Sequence, residues 1–278
     1  MRLLLVTSAS GANGDGCGRV LGFSAAGAPI GPFSRDPRIA DPRGIFVDTS
    51  GTFLYLNSGD DRVLGLDRRG EVVMDSGRLE GLDLGGGTLG PDGRYYVGLR
   101  RRRTVLAMPP RLDGPGDPVL PDGVVPFPRG FGFGADGQLY LSSGVGPGGE
   151  GDNTIVVFDP DGRLRTPRFV DDPELSPLDL TIAPDGNVLV SSEQPYGAPE
   201  ARSTIREYER ASGRLVRVFE TDQSVGFARP RGLRFGPDGN LYCVGRDGVV
   251  AFDFSTGSYL GELLRFPGLH GQALDFWE

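Results

Sequence analysis

The stretch "HGQALDFWE", residues 270–278, decides how the rest of the chain is read. It reads as one apolar strand with no turn after it, and it holds the only histidine and the only tryptophan. A strand without a neighbour of its own must pair elsewhere, so its counterparts within the chain are the first thing to find.

Four segments line up: "PRGIFVDTSGTFLYLNSGDDRVLGLD" from Pro42, "PRGFGFGADGQLYLSSG" from Pro128, "SPLDLTIAPDGNVLVSSE" from Ser176 and "RPRGLRFGPDGNLYCVGRDGVVAFD" from Arg229. A weaker copy, "GGGTLGPDGRYYVGLRRRRTVLAM", starts at Gly85. The turn glycines Gly51, Gly93, Gly137, Gly186 and Gly239 follow one another at 42, 44, 49 and 53 residues. Each unit reads as strand A ("RGLRF"), a turn ("GPDGN"), strand B ("LYCVG"), strand C ("GVVAFD") and strand D ("YLGELL"). A period in the forties with four strand signals is the signature of a propeller blade. Helical periodicity is absent over any useful window, so the expected fold is all-β.

The opening stretch now has a place. The amino-terminal residues supply B ("RLLLVTS"), C ("RVLGFS") and D ("PIGPF") but no A, and "LHGQALDF" supplies a lone A. Aligned with "PRGLRF", it sets His270 over Arg231 and Gly271 over Gly232. The expectation is a six-bladed β-propeller of four-stranded blades, closed by pairing the C-terminal inner strand with the N-terminal strands. The composite blade takes 1–36 plus 268–278, and the others lie near 42–80, 84–120, 128–172, 176–222 and 229–267. Closure removes the open sheet edges, and Trp277 is expected to pack between blades at the seam.

The "PRG…F.PDGNLYV" pattern resembles NHL-repeat six-bladed propellers and, more loosely, gluconolactonase and streptogramin-lyase propellers. The resemblance covers nearly the whole chain and is specific for fold, since such rings serve as enzymes, scaffolds and RNA binders.

Composition narrows the partners. The chain has 278 residues, 46 glycines, 23 prolines and 38% hydrophobic residues, which suits short buried strands joined by tight turns. A net charge of −8 disfavours sequence-independent binding to nucleic acid or anionic membrane. Two cysteines, Cys17 and Cys243, make no disulfide framework, and the short run "RLLLV" reads as a strand rather than a leader. No apolar run is long enough for a membrane helix. These features read as a cytoplasmic, monomeric single domain.

The A–B turns are uniformly short, whereas the opposite face carries the long B–C loops "SGANGDGCG", "GVGPGGEGDN" and "EQPYGAPEARS" and the long connection 110–128. Long loops in a compact domain are often functional, so the axial mouth on that face is the expected site, and a protein partner is an alternative use of the loops. Strand A begins at this mouth with Arg43, Gly85, Arg129, Leu178, Arg231 and His270. Glycine follows in every blade except one, where Asp179 stands. Guanidinium forks match carboxylate and phosphate, so the expected ligand is a small anion held by Arg43, Arg129 and Arg231 with Asp179 and Ser192. The competing reading makes these arginines struts between blades. Arginines without local acids favour the ligand, although Asp60, Asp61, Asp179, Glu193 and Glu150 are available as partners.

The resemblance adds chemistry to weigh. Gluconolactonase-like rings imply an axial divalent cation with Glu, Asn and Asp ligands. Here Ser58, Ser143, Ser192 and Gly245 stand where acids often lie, so no metal and no cofactor are expected. Glu150, Asp152 and Asn153 form only a weak oxygen set in one loop. The lyase resemblance implies a histidine acid/base, making His270 a catalytic candidate with Glu193 and Tyr196. RNA binding through the "RRRR" run, Arg100–Arg103, is disfavoured by net charge and by the lack of interleaved aromatics. The sequence therefore points to axial binding of a small anion with metal-independent lyase or hydrolase chemistry. A metal-dependent lactonase and a non-catalytic scaffold are the alternatives.

Overall fold

A computed structural model describes residues 2–9, 19–79, 83–146, 148–149, 151–198, 200–222 and 225–278. Cys17 and Glu150 lie outside them. The first blade starts with β1 (Leu3–Ser8), β2 (Arg19–Ser24) and β3 (Pro29–Ser34). The second holds β4 (Ile45–Val47), β5 (Leu54–Ser58), β6 (Arg62–Leu66) and β7 (Val72–Asp75). The third holds β8 (Leu84–Leu89), β9 (Tyr95–Leu99), β10 (Thr104–Ala107) and β11 (Asp117–Pro118). The fourth holds β12 (Pro128–Phe133), β13 (Leu139–Ser143), β14 (Thr154–Phe158) and β15 (Leu164–Thr166). The fifth holds β16 (Pro177–Ile182), β17 (Val188–Gln194), β18 (Arg202–Tyr208) and β19 (Leu215–Glu220). The sixth holds β20 (Leu233–Phe235), β21 (Leu241–Val244), β22 (Gly248–Phe252) and β23 (Tyr259–Arg265), and β24 (Gly271–Trp277) returns to the first. Each sheet has four antiparallel strands, so the fold is the six-bladed all-β propeller.

The B and C strands have neighbouring blades on both sides, which is why "LYLSS" and "TIVVF" are buried at every position rather than alternating. D strands form the rim, and "LVRVFE" is mostly exposed. Between B and A, the turn glycines Gly51, Gly93, Gly137, Gly186 and Gly239 all have positive φ, from 64° to 92°, a backbone region that side chains with a Cβ seldom enter. The fourth strand of the third blade falls at 117–118, inside the stretch the sequence suggested was one long connection.

Six apolar clusters fill the six blade interfaces. As many interfaces as blades means a closed ring. The seam is β24 against β1, with Leu3 opposite Trp277 and Val6 opposite Leu274. Trp277 is 2% exposed, packs with Leu5, Ile45 and Leu54, and donates its indole N–H to the Gly51 carbonyl at 2.9 Å. It thus joins the first and second blades, as a lone core tryptophan with a satisfied N–H does.

Candidate functional site

The inner strands converge on an axial cup of about 60 Å³. Its wall includes five arginines, Arg43, Arg100, Arg129, Arg231 and Arg234, with Asp179 and Gln272. The glycine at the second strand-A position has a steric reason. A Cβ on Gly86 would stand 2.8 Å from the Arg129 carbonyl oxygen, and one on Gly232 would stand 2.7 Å from the Ala273 Cα. Neighbouring backbones leave no room for a side chain there.

The five arginines are not equivalent. Arg43 is a strut: its Nη1 donates to Asp83 Oδ1 at 2.9 Å and to the Leu84 carbonyl at 3.0 Å, tying the second blade to the third. Its Nη2 lies 3.5 Å from Asp41. Arg100 lies 3.9 Å from the same Asp83, and its buried Nε has no hydrogen-bond partner among the described residues. Burial, together with Arg43, Arg129 and Arg231, pushes its pKa down to about 10. Arg129 is 8% exposed, its Nη2 reaches the Val145 carbonyl at 3.3 Å, and its Nε is also unpartnered. Its guanidinium lies 5.0 Å from the ring of Phe127 and 5.0 Å from that of Tyr196. Burial, then repulsion from Arg231, lowers its pKa against the opposing pull of Tyr196. Neither Arg129 nor Arg231 forms an ion pair with an acid among the described residues.

Tyr196 caps this group. It is half exposed and meets both Arg231 and Arg129. Burial alone raises its hydroxyl, but Arg231 and then Arg129 outweigh that and hold it below the ordinary phenol value. Asp179 stands where other blades have glycine or alanine. Its Oδ2 accepts the Leu233 N–H at 3.1 Å and lies 3.6 Å from Nη1 of Arg234, which also lines the cup. Burial raises the pKa of Asp179, with Arg234 opposing.

The sequence misplaced three candidates. His270 is exposed, takes a positive φ of 45°, and offers its carbonyl to the Ala9 N–H at 3.1 Å. Register shifts between Val6 and Ser8 in the pairing with β24, so Gln272 and Ala273 occupy the cup positions that alignment gave to His270 and Gly271. Ser192 is fully buried, and its hydroxyl accepts the Ser176 N–H at 2.8 Å. The same clamp recurs where Ser58 accepts the Ala40 N–H at 3.0 Å, so these serines hold the chain entering strand A rather than a ligand. Glu193 is 1% exposed, away from the cup wall, with Oε1 accepting the Arg229 N–H at 2.8 Å. Asp60 pairs with Arg62 at 3.1 Å, not with a cup arginine.

Arg100 was the residue missed. The run "RRRR" splits: Arg100 turns into the cup, Arg102 pairs with Asp122 at 2.9 Å, and Arg103 donates to the Gly123 carbonyl at 2.9 Å. One signal for it was in the sequence. The position just past strand B carries Gly59 and Gly144 in other blades, which is a close-approach position.

A divalent cation of the kind implied by the lactonase resemblance does not fit this donor set, which offers five guanidinium groups and one acid. Among the described residues no group of three or more His, Cys, Asp or Glu converges. None of their helices is long and apolar enough to cross a membrane.

No family model matches the chain, and no curated protein matches it in sequence. Solved structures do match in shape. A chain of the nidogen/laminin complex superposes with a TM-score of 0.73 at 16% identity, covering 100% of this chain and 99% of that one. A protein of unknown function from Bacteroides caccae gives 0.72 at 12% identity, covering 100% and 99%. A gluconolactonase from Xanthomonas campestris gives 0.64 at 18% identity, covering 95% and 86%, and a streptogramin B lyase gives 0.59 at 15%, covering 82% and 70%. At these identities the likeness is one of architecture, and it places the chain among the six-bladed β-propellers.

Proposed function

We propose that this propeller binds a small anionic molecule in its axial cup. The observation that carries the reading is a set of three cup arginines, Arg100, Arg129 and Arg234, each with a buried Nε that has no hydrogen-bond partner among the described residues, beside Arg231, which pairs with no acid among them. Buried polar groups are nearly always paired, and an orphaned charged donor is costly, so an anion supplies what the fold withholds. The cup, about 60 Å³ and open on one side, has room for an inorganic oxyanion or the charged end of a small carboxylate.

Tyr196 gives this site proton chemistry without metal. A phenol held below its ordinary value by two guanidinium groups gives up its proton more readily than a free one, so it is the group here that can exchange a proton with a ligand bound beside them, as a lyase or hydrolase step requires. The test is thermal unfolding of wild type and Arg231→Ala in sulfate, phosphate and small carboxylates. Binding to the native state raises Tm in wild type and not in the variant. Sulfate also stabilises proteins generally, so an equal rise in both proteins sinks the reading.

A further inference from the structure

The cup wall contains one acid, and its position narrows the ligand class beyond the anion reading, on which this inference rests. Among the described residues lining the cup, Asp179 is the only carboxylate beside five arginines, one of which, Arg234, is its ion-pair partner at 3.6 Å. It is one of a kind in the repeat, since the equivalent positions are Gly44, Gly86, Gly130, Gly232 and Ala273. Its two oxygens have different surroundings. Oδ2 is held by the Leu233 N–H and lies next to Arg234. Oδ1 lies over the bare face of Gly130, 2.1 Å from where a Cβ would stand, and Gly130 itself lines the cup. The side chain keeps 20% of its surface exposed, although its strand faces the axis.

An anion alone gains nothing from a carboxylate in this wall, because the two repel. A hydroxyl does gain, since it can donate to the carboxylate or accept from the protonated acid. An ammonium would pair with Asp179 but would meet five guanidinium groups. We infer that the cup is built for a small hydroxycarboxylate, its carboxylate on Arg129 and Arg231 and its hydroxyl on Asp179 Oδ1. Asp179 is then the specificity-determining residue. A site built to bond a hydroxyl rejects the analogue lacking it, because the buried group is left unpaired.

Calorimetric titration of wild type with lactate and with propionate tests this without any variant. The expected result is at least ~10-fold tighter binding of lactate, equivalent to ~1.4 kcal/mol. Equal affinities overturn the inference. In Asp179→Ala the ratio should fall toward one while propionate still binds; Asp179→Asn, which keeps an acceptor for the Leu233 N–H and a donor for the hydroxyl, should retain part of the preference. A ratio unchanged in folded Asp179→Ala also overturns it. Sulfate serves as the control for the underlying reading. If sulfate binds while lactate and propionate are equal, only this inference fails; if none of the three binds, the anion cup itself fails.

Discussion

The Nε of Arg129 lies 2.2 Å from the point where Gly144 would carry a Cβ. The atom in the way belongs to a flexible side chain rather than to backbone, and Gly144 has an ordinary negative φ. Gly144→Ala should therefore leave Tm within about a degree while swinging the Arg129 guanidinium out of the cup, with sulfate affinity falling at least ~10-fold. Calorimetry beside a melting curve checks it. Full affinity in the variant would mean that Arg129 is not a ligand contact.

Arg43 and Arg231 should separate cleanly. Arg43→Ala removes the tie to Asp83 and Leu84, so stability should fall by about 1–3 kcal/mol with binding weakened less. Arg231→Ala should cost about 2–5 kcal/mol of binding and little stability. Denaturant melts and titrations on both variants decide it. The opposite pattern would make Arg231 the strut.

Anion affinity should depend on pH through Tyr196. Its phenol titrates below the ordinary value, and ionisation puts a negative charge beside Arg129 and Arg231. Affinity for sulfate, which keeps its charge throughout, is thus highest while the phenol is protonated and falls as pH rises through the Tyr196 titration. Tyr196→Phe should remove that fall. Phenolate absorbance followed with and without sulfate gives the same linkage from the other side, with sulfate raising the titration midpoint.

Ring closure should be all-or-none. Deleting residues 269–278 removes β24 and leaves β1 as an unpaired edge, so aggregation or loss of cooperative unfolding is expected. The milder Trp277→Ala should cost about 3–5 kcal/mol through its cavity and the lost bond to Gly51. A monomeric truncation with unchanged Tm would refute the seam's role.

Chelator treatment should leave Tm unchanged, because the axis offers guanidinium donors where a cation needs converging oxygens. A drop of several degrees that a divalent ion restores would reopen the lactonase reading.

How far the sequence could be read followed from what repeats. The turn glycines and the PRG segments are imposed by backbone geometry shared by the blades, so strand order and closure were legible from them. Arg43, Arg129 and Arg231 reached the cup because they share that position. His270 failed for a local reason: a left-handed residue and a register shift slide the last strand by two positions, which alignment to "PRG" cannot register. Arg100 failed because a loop side chain's direction follows no period. Ser192 looked like a missing acid, yet its hydroxyl does the work of a backbone clamp, a role visible only once the preceding segment is folded against it.

The antiparallel seam also settles where anything joined to the protein would hang. Leu3 lies opposite Trp277, and Arg2 reaches Glu278 at 3.2 Å, so both ends emerge together where strand A finishes and strand B starts. That is the side of the short turns, a full strand length from the cup. A tag, a carrier domain or a solid support attached through either end would hold the ring like a bowl on its base, with its opening turned outward and free to receive solute.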